Sequence, residues 1–237
     1  MNIFGIKIPN HSQKDILNKC LDTLNKGKNG KPLFVATLNP EILLTAKKDR
    51  KYKEIIDSFH LKIIDGVGIK FISWLKKTKI GDRITGAYLA EFLIKEAEKL
   101  NLEIGIIFNK NGFSSEKEIK KYFKSKNNIK FLGLGRENSK NDFKVLSKAH
   151  LILVATGHPH QEKLIHRHVS RFPRVRLAIG IGGTLDFWTK KKKRAPKIIQ
   201  KIGLEWLWRL AVQPDRFKRI FRATIIFPIL AIFNKKH

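Results

Sequence analysis

Short apolar runs alternate with amphipathic segments through most of the chain. The runs are nearly continuous and rich in Ile, Val, Leu and Phe, as expected of strands buried on both faces of a sheet. Between them lie segments of helical length, and in Tyr88–Leu100 the apolar residues recur at helical spacing. The predicted strands are Leu33–Ala36, Leu61–Ile64, Glu103–Phe108, Ile129–Leu132, Leu151–Ala155 and Val175–Ile179.

The regular order of strand, helix and strand predicts an α/β domain with a Rossmann-like, mainly parallel sheet flanked by helices. The pattern changes after Asp186, where the basic segment WTKKKKRAPKIIQ is typical of a joint. From Lys197 to Phe221 the pattern is helical and is interrupted at Pro214, with arginines among the apolar positions. We therefore predict an α/β core over residues 1–189 and a basic, aromatic-rich helical appendage over residues 190–237.

The net charge of the chain indicates what kind of partner it binds. Among 237 residues, 49 Lys and Arg against 20 Asp and Glu give a net charge of +29. This excess predicts an anionic partner, which could be nucleic acid, an anionic membrane surface or a phosphorylated ligand; a lysine-rich proteome is the alternative. The charge is densest in residues 190–237, which hold 14 Lys and Arg and 2 acidic residues. The single cysteine, Cys20, excludes a disulfide within the chain and a cysteine-rich metal site.

The apolar runs along the chain are too short to span a membrane. None approaches the roughly 20 residues that span a bilayer. The longest, Ala223–Phe233, is long enough to lie in a membrane interface. The first residues lack the basic and apolar regions of a secretory signal. Together with the single free cysteine, which favours a reducing compartment, this predicts a cytoplasmic protein.

Polar residues follow the first two predicted strands. Because open α/β sheets bind ligands at the carboxyl ends of their strands, these residues are candidate site residues. Thr37 and Asn39 could bond a ligand, although a polar residue before Pro40 is also an ordinary helix start. Asp65, which two glycines follow closely, could act as a general base or cap a helix.

Two further clusters follow later strands. Gly157 allows a close approach of the backbone, and Gln161 and Glu162 begin a helix after it. The loop that contains Gly182 and Gly183 could cradle a phosphate through its amides, or form a tight turn. Histidines recur nearby without enough carboxylates to favour a metal site; they are His158, His160, His166 and His168.

The tail contains arginines suited to a diphosphate. Arg209, Arg216 and Arg219 fall on one face if the helix continues through Pro214, and guanidinium groups form paired hydrogen bonds with phosphate oxygens. The alternative is a solvated basic helix docked by its aromatic face. The sequence has no helix-turn-helix or RNA-recognition signature, so nucleic acid is not an expected partner.

Taken together, these segments resemble the WecG/TagA/CpsF glycosyltransferases (glycosyltransferase family 26) over about residues 30–222. The longest matching segment, residues 182–219, has the sequence GGTLDFWTKKKKRAPKIIQKIGLEWLWRLAVQPDRFKR. Shorter blocks are TLNPE, DGVGI, RITGA and GHPHQE. The resemblance implies transfer of an N-acetylmannosamine-type sugar from a UDP donor to polyprenyl-diphosphate-linked N-acetylglucosamine. This would occur at the inner face of the cell membrane, in the synthesis of an envelope polymer such as teichoic acid. A lipid-linked acceptor also implies that the protein binds the membrane peripherally through its basic tail, less strongly as the salt concentration rises.

The resemblance also implies roles for individual residues. It makes Asp65 the general base, with Thr37 and Asn39 beside it in the reaction centre and Arg83 as an active-site cation. The other implied contacts hold the donor, the diphosphate or the membrane. Gln161 and Asp186 would help hold the donor, and Arg209, Arg216 and Arg219 would bind the diphosphate of the lipid acceptor or of UDP. Further candidate substrate-binding residues, from the loops described above, are Gly157, Glu162, Gly182 and Gly183.

Neither a cofactor nor a metal ion is expected, because the sequence has no Asp-x-Asp motif and the arginines can stabilise the leaving diphosphate. A single displacement assisted by a base would invert the anomeric centre. Tyr88 stands where the family usually has an Asp, so another UDP-sugar such as a uronic acid is an alternative donor. A non-enzymatic, basic membrane- or nucleic-acid-binding protein is the second alternative, and a homo-oligomer stays open.

Overall fold

The fold is built on one parallel sheet of six strands. The computed structural model describes residues 1–26, 31–126, 128–135, 140–192, 195–196, 199, 205–212 and 217–233. The six strands have the order β4-β3-β8-β7-β5-β6, and every neighbouring pair is parallel. They are β3 Leu33–Leu38, β4 Leu61–Ile64, β5 Ile104–Asn109, β6 Ile129–Leu134, β7 Leu151–Ala155 and β8 Leu177–Gly180, and a separate antiparallel pair is formed by β1 Asn2–Ile3 and β2 Ile6–Lys7.

All six strands predicted from the apolar runs are confirmed. The boundaries of β4 and β7 agree fully, and the others differ by one or two residues. The largest shift at a strand start is in β8, which begins at Leu177 because the amide of Val175 is turned back to the carbonyl oxygen of Phe172 at 3.4 Å. The residues of β3 and β8, in the middle of the sheet, are buried on both faces, and those of β5 and β7 nearly so, which explains why they form continuous apolar runs.

Helices cover both faces of the sheet, each with its own apolar cluster. One cluster includes residues of α1, α5, α6 and α8, and the other includes residues of α2, α3, α4, α7 and the last helix of the chain. The helices are α1 Gln13–Asn25, α2 Pro40–Lys48, α3 Arg50–Asp57, α4 Val67–Leu75, α5 Gly86–Lys99, α6 Glu116–Tyr122, α7 His160–Arg167, α8 Thr184–Trp188, α9 Glu205–Val212, α10 Phe217–Phe221 and α11 Phe227–Ile232. Short 3-10 helices occupy Lys140–Leu146 and Val169–Arg171.

The helical prediction for the tail is confirmed. A π-helical turn, Arg222–Ile226, joins α10 to α11, so residues 217–232 form one helical segment, which we call the C-terminal helix. Phe227 is fully buried and contacts the ring of Phe4 edge-on, with 6.1 Å between ring centroids. The C-terminal helix thus adds side chains to the core cluster on the α2 face. Pro214 lies outside the described residues, and the domain boundary at residue 190 stays a prediction.

Two histidines occupy equivalent places at the amino-terminal edge of the sheet. His60 directly precedes β4, and its Nδ1 accepts a hydrogen bond from the amide of Phe34 at 3.2 Å. His150 directly precedes β7, and its Nδ1 accepts from the amide of Glu103 at 3.2 Å. Burial is the main cause that lowers the pKa of both imidazoles. The neutral imidazole is the form that can accept these bonds.

Candidate active site

The sheet topology opens a crevice at the carboxyl ends of β3 and β8. The two strands are neighbours, but α2 after β3 and α8 after β8 pack on opposite faces of the sheet. Chain segments that leave adjacent strands in opposite directions leave a gap between them, where ligands bind in open α/β sheets. The hydroxyl of Thr37 on β3 donates to the carbonyl oxygen of Gly180 on β8 at 3.3 Å, directly below this crevice.

Thr37 and Asp65 lie close together at this edge, and their roles in catalysis stay a prediction. The meeting point is Gly86, the first residue of α5. A methyl group placed on Gly86 would lie 3.2 Å from Thr37 Cγ2 and 3.8 Å from Asp65 Oδ2. Thr37 is only 5% exposed, whereas Asp65 is half-buried. Sequence reasoning missed Gly86 as a site residue, since a glycine at a helix start gives no signal of what faces it.

Arg83 lies against the backbone of Asp65. Its Nε donates to the Asp65 carbonyl oxygen at 2.7 Å, and its backbone pairs with Ile64 in a single parallel bridge. The N-cap of α4 is Gly66, which provides no side-chain cap, so the helix-cap interpretation of Asp65 is wrong. Through the bond from Arg83 to the Asp65 carbonyl oxygen, the predicted base and the predicted cation are adjacent.

Asn39 has a clear structural role. Its Oδ1 accepts from the amide of Ile42 at 3.0 Å, which caps α2 and confirms the helix-start interpretation. The start of α2 is packed tightly against the start of α4, because a methyl group on Gly66 would lie 2.5 Å from Pro40 Cδ. This packing fixes the segment that carries Asn39 next to the segment that carries Asp65. A role of Asn39 in ligand binding stays a prediction.

Gln161 and Glu162 lie beneath the glycine loop and are 3% and 1% exposed. Gln161 Nε2 donates to Glu162 Oε1 at 2.6 Å, and Gln161 Oε1 accepts from the amide of Gly182 at 2.9 Å. The hydroxyl of Tyr52 donates to Glu162 Oε2 at 3.0 Å. Burial first, and the charge of Glu162 second, raise the pKa of Tyr52, so its hydroxyl keeps its proton. This network holds the loop in shape; a direct contact with the donor stays a prediction.

Tyr52 was not found by sequence reasoning. It lies on α3, and its sequence neighbours give no sign that it reaches a residue 110 positions later. Its hydroxyl is also 2.9 Å from Nδ1 of His158, whose Nε2 is 2.9 Å from the hydroxyl of Thr45. His158 therefore belongs to the same network. Elsewhere, His166 contacts Ser58.

The histidine-rich segment does not form a metal centre among the residues that the structure describes. His168 is stacked on Phe143 with 4.7 Å between ring centroids, whereas His158 contacts Thr45 and Tyr52. Within the described ranges, no group of three or more His, Cys, Asp and Glu side chains could hold an ion.

Glycines at the crevice need their backbone freedom. Gly157 has φ of +78° and Gly182 has φ of +53°, and a larger residue would strain both turns. Gly183 is the N-cap of α8. Between β7 and Gly157 lies Thr156, whose hydroxyl is buried and has no hydrogen-bond partner among the described residues. Sequence reasoning gave Thr156 no role, and its position directly after a strand was the available signal.

Asp186 is tied to its neighbours through both carboxylate oxygens. Oδ1 accepts from the Ser114 hydroxyl at 2.8 Å, and Oδ2 is 3.1 Å from the Lys192 ammonium group. Lys192 also lies over the ring of Phe113, 3.5 Å from its centroid. These contacts hold the segment after α8 against the loop after β5. The predicted contact of Asp186 with the donor is untested.

Of the three tail arginines, Arg219 is described, and it reaches the site edge. Its Nη2 and Nε lie 2.5 and 3.2 Å from the two carboxylate oxygens of Glu41. This hydrogen bonding raises the pKa of Arg219. Glu41 lies in the first turn of α2, two residues after Asn39. The side chain of Arg209 and the whole of Arg216 lie outside the described residues.

Tyr88 lies in the first turn of α5, two residues after Gly86. It is 44% exposed, and its hydroxyl accepts from Gln13 Nε2 at 3.2 Å. The Tyr88 phenol is thus directed to α1, and its effect on the choice of donor stays a prediction.

The chain is similar to known proteins over most of its length. Residues 1–237 match the Glycosyl transferase WecG/TagA/CpsF family. Three similar relatives share the name N-acetylglucosaminyldiphosphoundecaprenol N-acetyl-beta-D-mannosaminyltransferase. The one from Bacillus subtilis (strain 168) is 32% identical, covering 78% of this chain and 74% of its own length. The one from Bacillus spizizenii is 28% identical over 80% and 75%, and the one from Staphylococcus aureus (strain MRSA252) is 26% identical over 100% and 94%.

Proposed function

The chain belongs to the WecG/TagA/CpsF family of glycosyltransferases, and on that premise we propose that it transfers N-acetylmannosamine from a UDP donor to polyprenyl-diphosphate-linked N-acetylglucosamine. The observation that carries this proposal is the relative that is 32% identical over 78% of this chain, whose name states that sugar and that acceptor. The product would enter the synthesis of a bacterial envelope polymer.

Asp65 is the general base of the proposed reaction. It takes the proton from the acceptor hydroxyl while the hydroxyl oxygen attacks the anomeric carbon of the donor. The bond from that carbon to the diphosphate oxygen breaks, and UDP leaves with the electron pair. One displacement inverts the anomeric centre, so an α-linked donor gives a β-linked product, in keeping with the beta-mannosaminyl names of the relatives. An α-linked product by proton NMR would contradict this mechanism.

Arginines stabilise the departing diphosphate. Arg83 lies against Asp65, and Arg219 lies at the start of α2 on the same edge of the sheet. Positive charge that is already in place where negative charge develops lowers the barrier to reaction. Arg219 would exchange Glu41 for the diphosphate, because a doubly charged group competes well for a bidentate guanidinium. We propose that this charge replaces a metal ion, and activity that persists in EDTA is the test.

The donor lies over the carboxyl ends of β8 and β7. Gly182 and Gly183 allow the diphosphate to approach the backbone, and the network of Gln161, Glu162 and Tyr52 sets the shape of their loop. Thr156 offers a hydroxyl without a protein partner in the described part of the chain. The sugar would then lie toward Thr37 and Asp65.

The enzyme binds the membrane peripherally at its inner face, where the acceptor lies. No described helix is both long enough and apolar enough to cross a bilayer. The C-terminal helix instead presents a stripe of exposed apolar side chains, and Lys218, Arg219 and Arg222 accompany it. Apolar side chains beside basic ones suit the interface of an anionic leaflet. The stripe consists of Phe217, Phe221, Ile225, Ile229 and Phe233.

The test of function is transfer from UDP-N-acetylmannosamine to a water-soluble, short-chain lipid-diphosphate N-acetylglucosamine, with EDTA present. We expect a disaccharide product and release of UDP. Product from another UDP-sugar, such as a uronic acid, and none from UDP-N-acetylmannosamine would keep the family and change the donor. Absence of turnover with every UDP-sugar would contradict the proposal and favour a non-enzymatic binding protein.

A further inference from the structure

The carboxyl-terminal end of α4 exposes a second apolar surface outside the active site. Trp74 is 72% exposed and Phe71 is 48% exposed, and Leu75 beside them is also exposed. The rings of Phe71 and Trp74 are stacked with 6.0 Å between centroids and 28° between planes. We call these three residues, with Lys77 and Lys79, the α4 tip. Grouped aromatic side chains of this size are seldom left in water without a function.

The segment that carries the α4 tip is basic, and the next acidic residue along the chain is Asp82. Residues 66–81 include four lysines and no acidic residue. Lys77 and Lys79 are both exposed directly after the helix. A tryptophan flanked by lysines is the combination found where proteins meet the headgroup layer of a bilayer. The charge therefore matches an anionic lipid surface and repels a second copy of this basic chain.

A shallow groove beside the α4 tip has the same mixed character. Its volume is about 770 Å³. Trp74, Leu75 and Ile80 form apolar parts of its lining, and Lys77 and Lys79 form part of the cationic lining. Apolar walls next to ammonium groups suit the region of a lipid where the phosphate joins the apolar chains.

The α4 tip lies next to the C-terminal helix. A methyl group on Gly68 of α4 would lie 3.7 Å from the ring of Phe227, so the two helices are in direct contact. Gly68, Phe71 and Leu75 are spaced three and four residues apart and share one side of α4. The exposed apolar residues of α4 therefore adjoin the helix that carries the proposed membrane stripe.

We infer that the α4 tip is a second contact surface for an anionic lipid bilayer, joined to the C-terminal helix. The inference rests on the proposed function, which brings the enzyme to a lipid-linked acceptor. Asp65 comes directly before Gly66, the N-cap of α4, and Trp74 is about 12 Å from that N-cap along the helix. Contact at the α4 tip would hold the base at a fixed height above the headgroups.

The test compares binding to vesicles of phosphatidylglycerol and phosphatidylcholine by cosedimentation. Trp74→Glu should weaken binding about tenfold or more, and Trp74→Tyr, which keeps an interfacial aromatic ring, should bind nearly as well as wild type. The matched control is Val145→Glu, an exposed apolar residue in the 3-10 helix next to β6, at the opposite edge of the sheet. Lys77→Glu with Lys79→Glu should weaken binding more than the equal charge change Lys121→Glu with Lys124→Glu.

Three results would overturn the inference. One is vesicle binding by Trp74→Glu that equals the wild type. Another is equal weakening by Val145→Glu. The third is a Trp74→Glu variant whose molar mass by light scattering without lipid differs from that of the wild type, while its vesicle binding is unchanged. That result would assign the surface to a second copy of the chain.

Transfer to the water-soluble acceptor separates this inference from the proposed function. We expect Trp74→Glu to match the wild type with that acceptor and to lose activity only with an acceptor embedded in vesicles. If the wild type fails with the soluble acceptor, the proposed function fails, while the vesicle comparison still decides the role of the α4 tip.

Discussion

The amino-terminal and carboxyl-terminal edges of the sheet differ in how their polar groups are used. At the amino-terminal edge, His60 and His150 each accept a hydrogen bond from one backbone amide. These bonds satisfy amides at the edge where the strands begin. At the carboxyl-terminal edge, Asp65 and Thr156 lie around a crevice, and glycines take the place of side chains. The first edge should therefore set stability and the second should set activity, and variants at each edge can separate the two properties.

Asp65→Asn should have the largest effect. Loss of the base should lower kcat by at least about a hundredfold, while the isosteric amide leaves the free energy of unfolding nearly unchanged. Kinetics with the water-soluble acceptor and urea unfolding measure the two quantities. Asp57→Asn, on an exposed carboxylate paired with Lys53, is the control. Comparable activity of the two variants would remove Asp65 from the mechanism.

Glu162→Gln should affect both properties, because the network lies beneath the crevice and inside the core. Tyr52 and Gln161 each donate a hydrogen bond to one carboxylate oxygen of Glu162, and in the variant an NH2 group takes the place of one of these oxygens. One bond is lost, which should lower the free energy of unfolding by about 1–3 kcal/mol. Because the loop at Gly182 loses its support, kcat/KM should also fall.

A double-variant cycle tests whether Glu162 acts through the network. The Glu162→Gln side chain has one oxygen left to accept from two donors, Tyr52 and Gln161. Adding Tyr52→Phe removes one of these donors and should therefore restore part of the lost stability. Glu96→Gln, on a helix surface, is the control. Purely additive losses would mean that Tyr52 and Glu162 do not act as a unit.

His150→Ala should lower stability by about 1 kcal/mol, because the amide of Glu103 loses its acceptor. The value of kcat/KM should not change. The pKa of His150 is lowered in the folded protein, so the unfolded chain binds its proton first. Wild-type stability should therefore fall as the pH drops below about 6.5, and the variant should lose part of that dependence. A reduced kcat/KM would contradict the separation of the two edges.

Thr156→Val should have the smallest effect and should appear only in donor binding. Loss of one hydrogen bond to the donor corresponds to roughly a fivefold higher KM for the UDP-sugar. Stability should be unchanged or slightly higher, since the hydroxyl has no partner among the described residues. An unchanged KM would exclude Thr156 from the donor site.

The sheet could be predicted because its strands are buried on both faces and their apolar runs therefore stand out in the sequence. That Asp65 and Thr37 lie near each other could be predicted, because the carboxyl ends of parallel strands meet at one edge. The support of the site could not. Tyr52 reaches Glu162 across 110 positions, and that contact depends on how α3 and α7 pack.

The face by which the C-terminal helix packs was equally hidden. Residues 225–233 are apolar on every side, apart from Pro228 in their midst, so no periodicity tells the buried Phe227 from the exposed Ile229. The π-helical turn before Phe227 also shifts the spacing of the following side chains. The sequence therefore predicted that the tail is helical, but not which side of the helix is buried.

The chain of hydrogen bonds from Tyr52 through Glu162 and Gln161 to Gly182 has a consequence for affinity. Glycines lose more conformational entropy on ordering than other residues, so a free glycine loop would oppose donor binding when it is fixed in place. Here the loop is ordered when the protein folds, by groups that never leave the core. The loop therefore loses its conformational entropy once, when the protein folds, and not each time a donor binds. The donor meets a site that already has its bound shape.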